Sequence, residues 1–306
     1  MGNVQFRGAS RNFNDSFAKA ARVAIIEVDE IVDVGELAPE DIHLPGVFVS
    51  RLVETTIRID VNEMPRKAER PATSGRSYAG KPALTRAEIA RRVAALFRPG
   101  EVVNLGAGLP TQVTNFLANR DVILHGENGV LNYGGFVRDG DRDPDLHDAG
   151  GNFVTLNPGA SFFDSVTSFE IARSGRLDAV VLGAYQVGGN GDLANWAHPG
   201  IAGGGIGGAM DLAVGARQVV AMLEHQDSKG RPKLVEHCDY PITATRCVDT
   251  IVTDLALLRR QGERFHLAEI AAGFTVAEVV ELTGMRIDVP DQVGILQECW
   301  QTPEAR

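Results

Sequence analysis

The stretch His125-Gly-Glu127-Asn128-Gly129 places a carboxylate inside a strong turn signal. Asn-Gly favours a tight turn, and an apolar strand candidate at 122–125 comes directly before it. Glu127 is therefore predicted at the tip of a strand, where parallel α/β sheets bind their ligands. A carboxylate at that edge can reach a ligand bound over a neighbouring glycine loop. Most glutamates near turns are simply solvated, so spacing alone leaves both interpretations open.

A second motif, residues 104–110 (NLGAGLP), lies between a strand candidate and a helix candidate. Its glycines, Gly106 and Gly108, would let the backbone come close to a ligand. The following helix offers unpaired N–H groups and the positive end of its dipole. A plain strand-to-helix turn explains the same spacing about equally well.

Residues 203–208 (GGGIGG) match the G-x-G-x-x-G pattern, and Glu224 lies near the distance expected of a ribose-binding acid. An NAD(P)-dependent oxidoreductase using this loop is thus one hypothesis. Residues 193–202 do not have the character of the strand that must precede such a loop. The loop could equally present backbone N–H groups to a developing oxyanion, and this alternative ranks higher.

Other reactive side chains carry weaker signals. His225, His237 and Cys238 have spacings that fit no usual metal-ligand set, so no metal site is predicted. Trp196 is interpreted as a packing residue, although its place among glycine-rich segments would also suit a pocket wall.

The elements that position these motifs alternate between strands and helices from residue 84 onward. Thr85 and Glu88 form a capping box that opens an amphipathic helix, and Thr275 and Glu278 form another. Strands are predicted at 101–105, 122–125, 153–156, 179–184, 218–224, 250–253 and 265–268. Helices are predicted at 111–118, 165–174, 210–216 and 276–282. Several strands are apolar throughout, which indicates an α/β domain with a mainly parallel sheet covered on both faces.

The segment before residue 84 has a different character. Residues 1–64 hold a helix candidate at 14–21 and strand candidates at 23–28 and 47–53, too few for an independent core. We therefore expect this segment to pack on another chain or domain. Residues 65–83 are rich in Pro, Gly, Ser and charge, and are predicted to be a linker. The domain prediction is thus 1–64, 65–83 and 84–306.

The composition limits the function classes. The chain has 306 residues and a formal net charge of −10, which disfavours a nucleic-acid surface. Three cysteines without a C-x-x-C pair and no signal peptide predict a cytoplasmic protein. No apolar run has the roughly 18 residues of a membrane span, so no membrane partner is expected.

Taken together, the motifs resemble the family I coenzyme A (CoA) transferases, in particular the β subunit or β half of 3-oxoacid and 3-oxoadipate CoA-transferases. The resemblance runs in order over residues 84–290. It is carried by NLGAGLPTQV, GENG, LNPGASFFDS, VLGAYQV, GDLANW, GGAMDLAVGA, KLVEHCDYPIT and VTDLALL. Residues 2–53 resemble the C-terminal end of the α half, so the chain is similar to a fused enzyme that lacks most of that half. The implied fold is a three-layer α/β/α domain plus a partial α-subunit-like segment.

The resemblance implies roles for individual residues. Glu127 matches the nucleophilic glutamate, and Gly208 matches the glycine whose N–H helps to hold the oxyanion. The CoA cleft is implied at Asn104, Gly106, Gly108, Gly207 and Ala209. One departure is Asp148-Ala-Gly-Gly151, where relatives often read Asn-Ala-Gly-Lys, so a lysine contact to CoA is missing.

The implied activity is transfer of CoA from an acyl-CoA, succinyl-CoA, to a 3-oxo acid such as acetoacetate or 3-oxoadipate. CoA thioester is a substrate, and no permanently bound cofactor is expected. The implied partners are the acyl-CoA and carboxylic acid substrates and an α subunit or α half, in a homo- or hetero-oligomer. The alternatives are the oxidoreductase above and a non-catalytic remnant that only assembles with an α partner.

Overall fold

The computed structural model describes residues 1–57, 60–64, 75–117, 120–137, 140–200 and 205–299. The helices are α1 (Asn14–Ala20), α2 (Arg86–Ala94), α3 (Ser165–Arg173), α4 (Ala209–Gly215) and α5 (Val276–Leu282). The 3-10 helices are Gly8–Ser10, Pro39–Asp41, Gly46–Phe48, Leu109–Phe116 and Leu296–Cys299.

Short strands make up most of the remaining regular structure. In chain order they are β1 (Ile25–Val28), β2 (Arg51–Glu54), β3 (Gly75–Tyr78), β4 (Lys81–Thr85), β5 (Val102–Leu105), β6 (Ile123–Gly126), β7 (Val130–Phe136), β8 (Val154–Phe162), β9 (Ala179–Gly183), β10 (Gln186–Gly188), β11 (Leu193–Ala194), β12 (Val219–Met222), β13 (Leu234–Val235), β14 (Thr250–Val252), β15 (Ala256–Gln261), β16 (Arg264–Ile270) and β17 (Gly294–Ile295).

The chain divides into two compact units. The first contains Met1–Lys67 and Gly126–Ser168, and the second contains Ala68–His125 and Phe169–Arg306. Residues 126–168 thus group with the N-terminal segment. The domain boundaries 1–64, 65–83 and 84–306 stay a prediction. Of the predicted linker, residues 65–74 lie outside the described residues, and residues 75–83 form β3 and the start of β4.

The second unit is built on a mixed sheet in the order β17-β16-β15-β14-β12-β9-β5-β6. The five strands from β14 to β6 are mutually parallel. Strand β15 runs antiparallel to β14, and β16, which is antiparallel to β15, runs in the same direction as β14. The predicted α/β class with a mainly parallel sheet is confirmed. A second, smaller sheet has the order β11-β10-β13.

Complete burial of apolar side chains holds the parallel strands together. Val180, Val220 and Ile251 have no exposed surface and lie on three adjacent strands. Burying a side chain of this size stabilises the fold by about 1.5–3 kcal/mol. This burial explains why these strands have apolar runs and not alternating patterns.

A buried ion pair ties helix α2 to strand β16. The Arg92 guanidinium donates to the Glu269 carboxylate, with Nε 2.6 Å from Oε2, and both side chains are nearly inaccessible. Helix α2 begins at the predicted capping box, in which the Thr85 hydroxyl accepts from the Glu88 N–H and the Glu88 carboxylate accepts from the Thr85 N–H. Both predicted capping boxes are present.

The first unit has a small core of its own. Val4, Ala18, Ala24 and Leu44 are buried beneath the parallel pair β1–β2 and its neighbours. Strands β7 and β8 form an antiparallel pair in the same unit. The Arg7 guanidinium lies 2.6 and 2.7 Å from the carboxylates of Asp143 and Asp145, and so joins the N-terminal segment to residues 140–145.

Candidate active site

The loop after β5 lies where an open parallel sheet binds ligands. The chain passes from β5 to β6 on one side and returns through β9 on the other, so the connections diverge between β5 and β9. Ligand crevices of open α/β sheets form at such a switch point, outside the carboxyl ends of the strands. Gly106 lies there, and its N–H donates to the carbonyl of Val181 in β9 at 2.8 Å.

Gly106 and Gly108 are glycines for different structural reasons. A Cβ on Gly106 would lie 3.0 Å from the Val181 carbonyl oxygen, so this residue is small because it packs on β9. Gly108 has φ +88° and ψ −128°, a conformation that L side chains rarely adopt, and apart from its chain neighbours no atom of the described residues lies within 4 Å of the space a Cβ would fill. Of these two glycines, only Gly108 therefore leaves the space beside its Cα open to a ligand.

The element that follows the loop is a 3-10 helix, Leu109–Phe116, where an α-helix at 111–118 was predicted; Ala118 lies outside the described residues. The Thr111 hydroxyl donates to the Gly108 carbonyl at 2.7 Å and fixes the start of this helix. Two further polar atoms, Gln112 Oε1 and Thr114 Oγ1, are buried without a hydrogen-bond partner among the described residues. Unpaired buried polar atoms are costly, and a bound polar group beside the loop would relieve that cost.

Asn104 connects two neighbouring strands of the sheet. It is 1% exposed, and its Nδ2 donates to the His125 carbonyl at 2.9 Å and lies 3.0 Å from His125 Nδ1. The two residues are direct neighbours across β5 and β6, so the amide fixes the carboxyl ends of both strands. The predicted contact of Asn104 with CoA would have to coexist with this structural role.

Glu127 follows β6 directly and belongs to the first unit. Its turn closes with a hydrogen bond from the Gly129 N–H to the Gly126 carbonyl at 3.0 Å. Gly129 has φ +111°, and a Cβ there would collide with the Phe163 carbonyl oxygen at 2.0 Å. Asn128 Nδ2 donates to the His147 carbonyl at 2.8 Å. The half-buried Glu127 thus lies in a turn that is fixed by the close packing of Gly129 on Phe163 and by the Asn128 bond to His147.

The second glycine segment opens helix α4 in the second unit. Gly207 has φ +53°, and Gly208 is buried and caps the helix, its carbonyl accepting from the Leu212 N–H at 3.0 Å. Ala209 is the first helical residue. The first N–H groups of a helix have no partner within the helix, as the predicted oxyanion role requires. Gly203 and Gly204 lie outside the described residues.

The dinucleotide hypothesis is not supported. The strand before the G-x-G-x-x-G segment is β11, two residues long and antiparallel to β10, where a parallel strand is required. The Glu224 carboxylate is engaged by Arg76 at 2.9 Å and by Arg86 at 3.1 Å, so it already holds two guanidinium partners. The arginines hold the pKa of Glu224 below its usual value, against the opposing effect of burial.

His225 is a fully buried residue that bonds to two threonines. Its two ring nitrogens lie 2.9 and 3.0 Å from the hydroxyls of Thr253 and Thr283. Burial lowers the pKa of His225 to about 4, and burial likewise lowers the pKa of His125 to about 4. Both imidazoles are therefore neutral in the folded protein at pH 7.

We expect the free energy of unfolding to fall as the pH is lowered from 6.5 to 4. In the unfolded chain these histidines take up protons near pH 6.5, whereas in the fold they do so only near pH 4, so acid favours the unfolded state. The loss is roughly 3 kcal/mol for each histidine. Urea unfolding of the His225→Gln variant at several pH values should show a shallower dependence. An unchanged dependence would contradict this account.

Sequence reasoning missed a group of rings after β9. The His198 ring centroid lies 5.4 Å from that of Tyr185 and 4.8 Å from that of Tyr240. Trp196 is close in the chain, and its Nε1 is buried without a hydrogen-bond partner among the described residues. No local sequence pattern predicts this cluster, because Tyr240 is more than 40 residues from His198 in the chain.

The backbone conformation of residues 148–151 fits the Asp-Ala-Gly-Gly sequence found there. The buried Asp148 carboxylate accepts from the N–H groups of Gly150 and Asn152 at 2.9 and 2.8 Å. Gly151 has φ +77°, a conformation in which a lysine would be strained. A glycine at position 151 therefore suits the local chain path.

Comparison with known proteins agrees with this architecture. The family model described as coenzyme A transferase matches residues 1–55 and 86–282. The chain is 38% identical over 301 residues to the mitochondrial succinyl-CoA:3-ketoacid coenzyme A transferase 2A of Rattus norvegicus, covering 97% of this chain and 57% of that protein. It is 48% identical over 204 residues to one of the subunits of 3-oxoadipate CoA-transferase from Pseudomonas putida, covering 66% of this chain and 95% of that polypeptide.

Solved structures show the same fold. An acyl-CoA transferase apoenzyme from Escherichia coli O157:H7 superposes with a TM-score of 0.72 at 18% identity, over 96% of this chain and 59% of that one. Glutaconate coenzyme A-transferase from Acidaminococcus fermentans gives 0.52 at 18% identity, over 72% of this chain and 98% of that one. No helix in the described part of the chain is both long and apolar enough to cross a membrane. From the family match and the two relatives by sequence, we conclude that the chain belongs to the family I coenzyme A transferases.

Proposed function

We propose that this chain is the β-type part of a CoA transferase that moves CoA from succinyl-CoA to a 3-oxo acid, acetoacetate or 3-oxoadipate. The observation that carries the proposal is the glycine-dependent turn that holds Glu127 directly after β6. The choice of substrates rests on the printed names of the two relatives by sequence. CoA thioester is a substrate here, and the reaction requires no permanently bound cofactor.

In this mechanism Glu127 is the nucleophile. Its carboxylate attacks the thioester carbonyl carbon and expels CoA thiolate, which leaves a mixed anhydride. The thiolate then attacks the glutamyl carbonyl, releases the donor acid and leaves a glutamyl-CoA thioester. The acceptor carboxylate repeats these steps in reverse, so transfer is ping-pong and the thioester energy is retained.

Backbone groups of the two glycine motifs supply the rest of the proposed machinery. The Gly208 N–H stabilises the oxyanion that forms on the attacked carbonyl, and Gly207 and Ala209 shape the backbone around it. The loop at Gly106 and Gly108 receives CoA together with Asn104, whose side-chain amide also donates to the His125 carbonyl. The switch-point position of that loop and the unpaired polar atoms of the 3-10 helix favour a ligand here.

An α-type chain or module is the proposed partner. In the described part of the chain, β1 and β2 pair with each other and with no further strand, and their neighbourhood exposes Val23, Ile25, Val34 and Val47. A cleft of about 750 Å³ in the first unit is lined by residues of the first 52 positions and Asp145. The chain spans 57% of the rat enzyme, so the proposed activity belongs to the complete assembly. We place this assembly in the cytoplasm, consistent with the free thiols of Cys238 and Cys247.

The test is a steady-state assay of this chain with and without a separately expressed α-type chain. We expect activity only in the mixture, with parallel double-reciprocal plots for succinyl-CoA against acetoacetate or 3-oxoadipate. Rates with glutaconate as acceptor should be much lower. An assembled mixture that is inactive with every acid would favour the non-catalytic alternative, and a preference for glutaconate would overturn the substrate assignment.

A further inference from the structure

The second unit has a cavity of about 490 Å³ away from the candidate active site. Its lining includes Arg260 and Gly262 of the β15–β16 hairpin. The hairpin turn follows residues that pair with Thr250 at the start of β14, so it lies at the amino-terminal edge of the parallel strands. The loop at Gly106 lies at the opposite, carboxyl-terminal edge. The two places are therefore separate sites on one sheet.

The lining of this cavity is basic in an acidic protein. Four arginines and one histidine face two glutamates, whereas the whole chain has a formal net charge of −10. The charged lining side chains are Arg246, Arg260, Arg264, Arg286, Glu236 and Glu263. Guanidinium groups gathered in a concave site are the side chains best suited to bind phosphate or carboxylate in a bidentate manner.

Two of the arginines are available for such a ligand. In the part of the chain that the structure describes, the Arg246 and Arg286 guanidiniums have no ion-pair partner. The Asp192 carboxylate is already used: its Oδ1 accepts from the backbone N–H of Arg246 at 2.9 Å, and its Oδ2 accepts from Asn190. The Glu236 carboxylate accepts from the backbone N–H of Arg286 at 3.0 Å. These acids accept backbone N–H groups, and within the described residues neither lies within ion-pair distance of the Arg246 or Arg286 guanidinium.

The site is built into the fold. Arg246 has φ +51°, an unfavourable conformation for a residue with a side chain, and the bond to Asp192 holds it there. Arg260 is 21% exposed, and its Nη1 lies 3.4 Å from the Asn190 carbonyl oxygen. A Cβ on Gly191 would lie 2.8 Å from that Nη1, so the glycine makes room for the guanidinium. The distance from the Arg260 guanidinium to the Asp249 carboxylate is 3.6 Å, and Asp249 Oδ2 accepts from the Val219 N–H.

We propose that this arginine cavity binds a small polyanion that carries at least two phosphate or carboxylate groups. Two such groups would bridge Arg246 and Arg286 across the cavity, and Arg260 would contribute from its floor. This binding site is independent of acyl transfer, because it involves neither Glu127 nor the glycine loops.

The test is calorimetric titration of the whole chain with inorganic pyrophosphate and, separately, with citrate. Arg246→Gln and Arg286→Gln remove one charge each and keep most of the side-chain stem. Each should weaken binding of the preferred anion at least about tenfold, since a charge-assisted bidentate contact is lost. Arg98→Gln is the matched control, because it removes an exposed charge elsewhere in the same unit and should change the affinity less than about twofold.

Pyrophosphate and citrate both carry several negative charges. Their relative affinities show whether the cavity prefers phosphate or carboxylate groups. Circular dichroism of each variant confirms that it is folded before titration. Absence of binding of both anions to the unmodified chain would overturn the proposal. Equal affinity in all three variants and the unmodified chain would overturn it as well, because the anion would then bind elsewhere.

Discussion

Glu127→Ala is expected to abolish CoA transfer by the assembled enzyme, with a loss on the order of 10⁴-fold in kcat. The proposed mechanism forms a covalent bond to this carboxylate, and no other acid lies between residues 126 and 135 to replace it. Glu127→Asp should lose on the order of 100-fold, because the shorter side chain displaces the attacking oxygen by about 1 Å. Activity is measured with this chain and its α-type partner at equal amounts of folded protein.

A covalent adduct distinguishes a nucleophile from a structural glutamate. Acyl-CoA without acceptor should leave a glutamyl-CoA thioester on the assembled enzyme, and borohydride should reduce it to an alcohol that mass spectrometry assigns to Glu127. The Glu281→Gln variant, on the exposed surface of α5, is the control and should keep full activity. Full turnover by a folded, assembled Glu127→Ala protein would sink the mechanism.

Gly129→Ala should be the most damaging single-methyl change near the candidate site. The backbone has φ +111°, and the added Cβ would lie 2.0 Å from the Phe163 carbonyl oxygen, a backbone atom that no rotamer change can move. Positive φ and this collision together should lower the free energy of unfolding by about 3 kcal/mol. If the turn shifts by about 1 Å, Glu127 loses its alignment, and kcat should fall on the order of 100-fold.

Gly135→Ala is the matched control for this variant. Gly135 lies on β7 in the same unit, and apart from its chain neighbours no atom in the part of the chain that the structure describes lies within 4 Å of the space its Cβ would fill. Chemical denaturation and the transfer assay should therefore separate the two variants clearly. If Gly129→Ala and Gly135→Ala behaved alike in both measurements, the turn would not be the constraint described above.

The sequence predicted the helices and strands that are determined by residues close together in the chain. Helix α5 begins and ends where its capping box and apolar spacing place it, at Val276 and Leu282. The fully buried strands, such as β9, were also found, because burial on both faces leaves an apolar run. Strand β15 was missed because its second half reads Arg-Arg-Gln and leaves the core.

Elements stabilised by distant contacts could not be predicted in this way. Strands β3 and β4 have a linker-like composition, yet Tyr78 is buried and its hydroxyl donates to the Asp254 carboxylate at 2.9 Å. The partner is 176 residues away in sequence. For the same reason the Asn104–His125 contact could not be inferred, because it depends on strand register and not on any motif. The arginine cavity likewise draws its residues from several separate segments.

The ion pair between Arg92 and Glu269 has a consequence for synthesis of the chain. Its partners are 177 residues apart, and at roughly 5–20 residues per second a ribosome needs about 10–35 s to make the intervening segment. Throughout that interval Arg92 lacks its carboxylate partner, and the sheet lacks strand β16. The nascent second unit should therefore be a client of ribosome-associated chaperones, released only after β16 has left the exit tunnel.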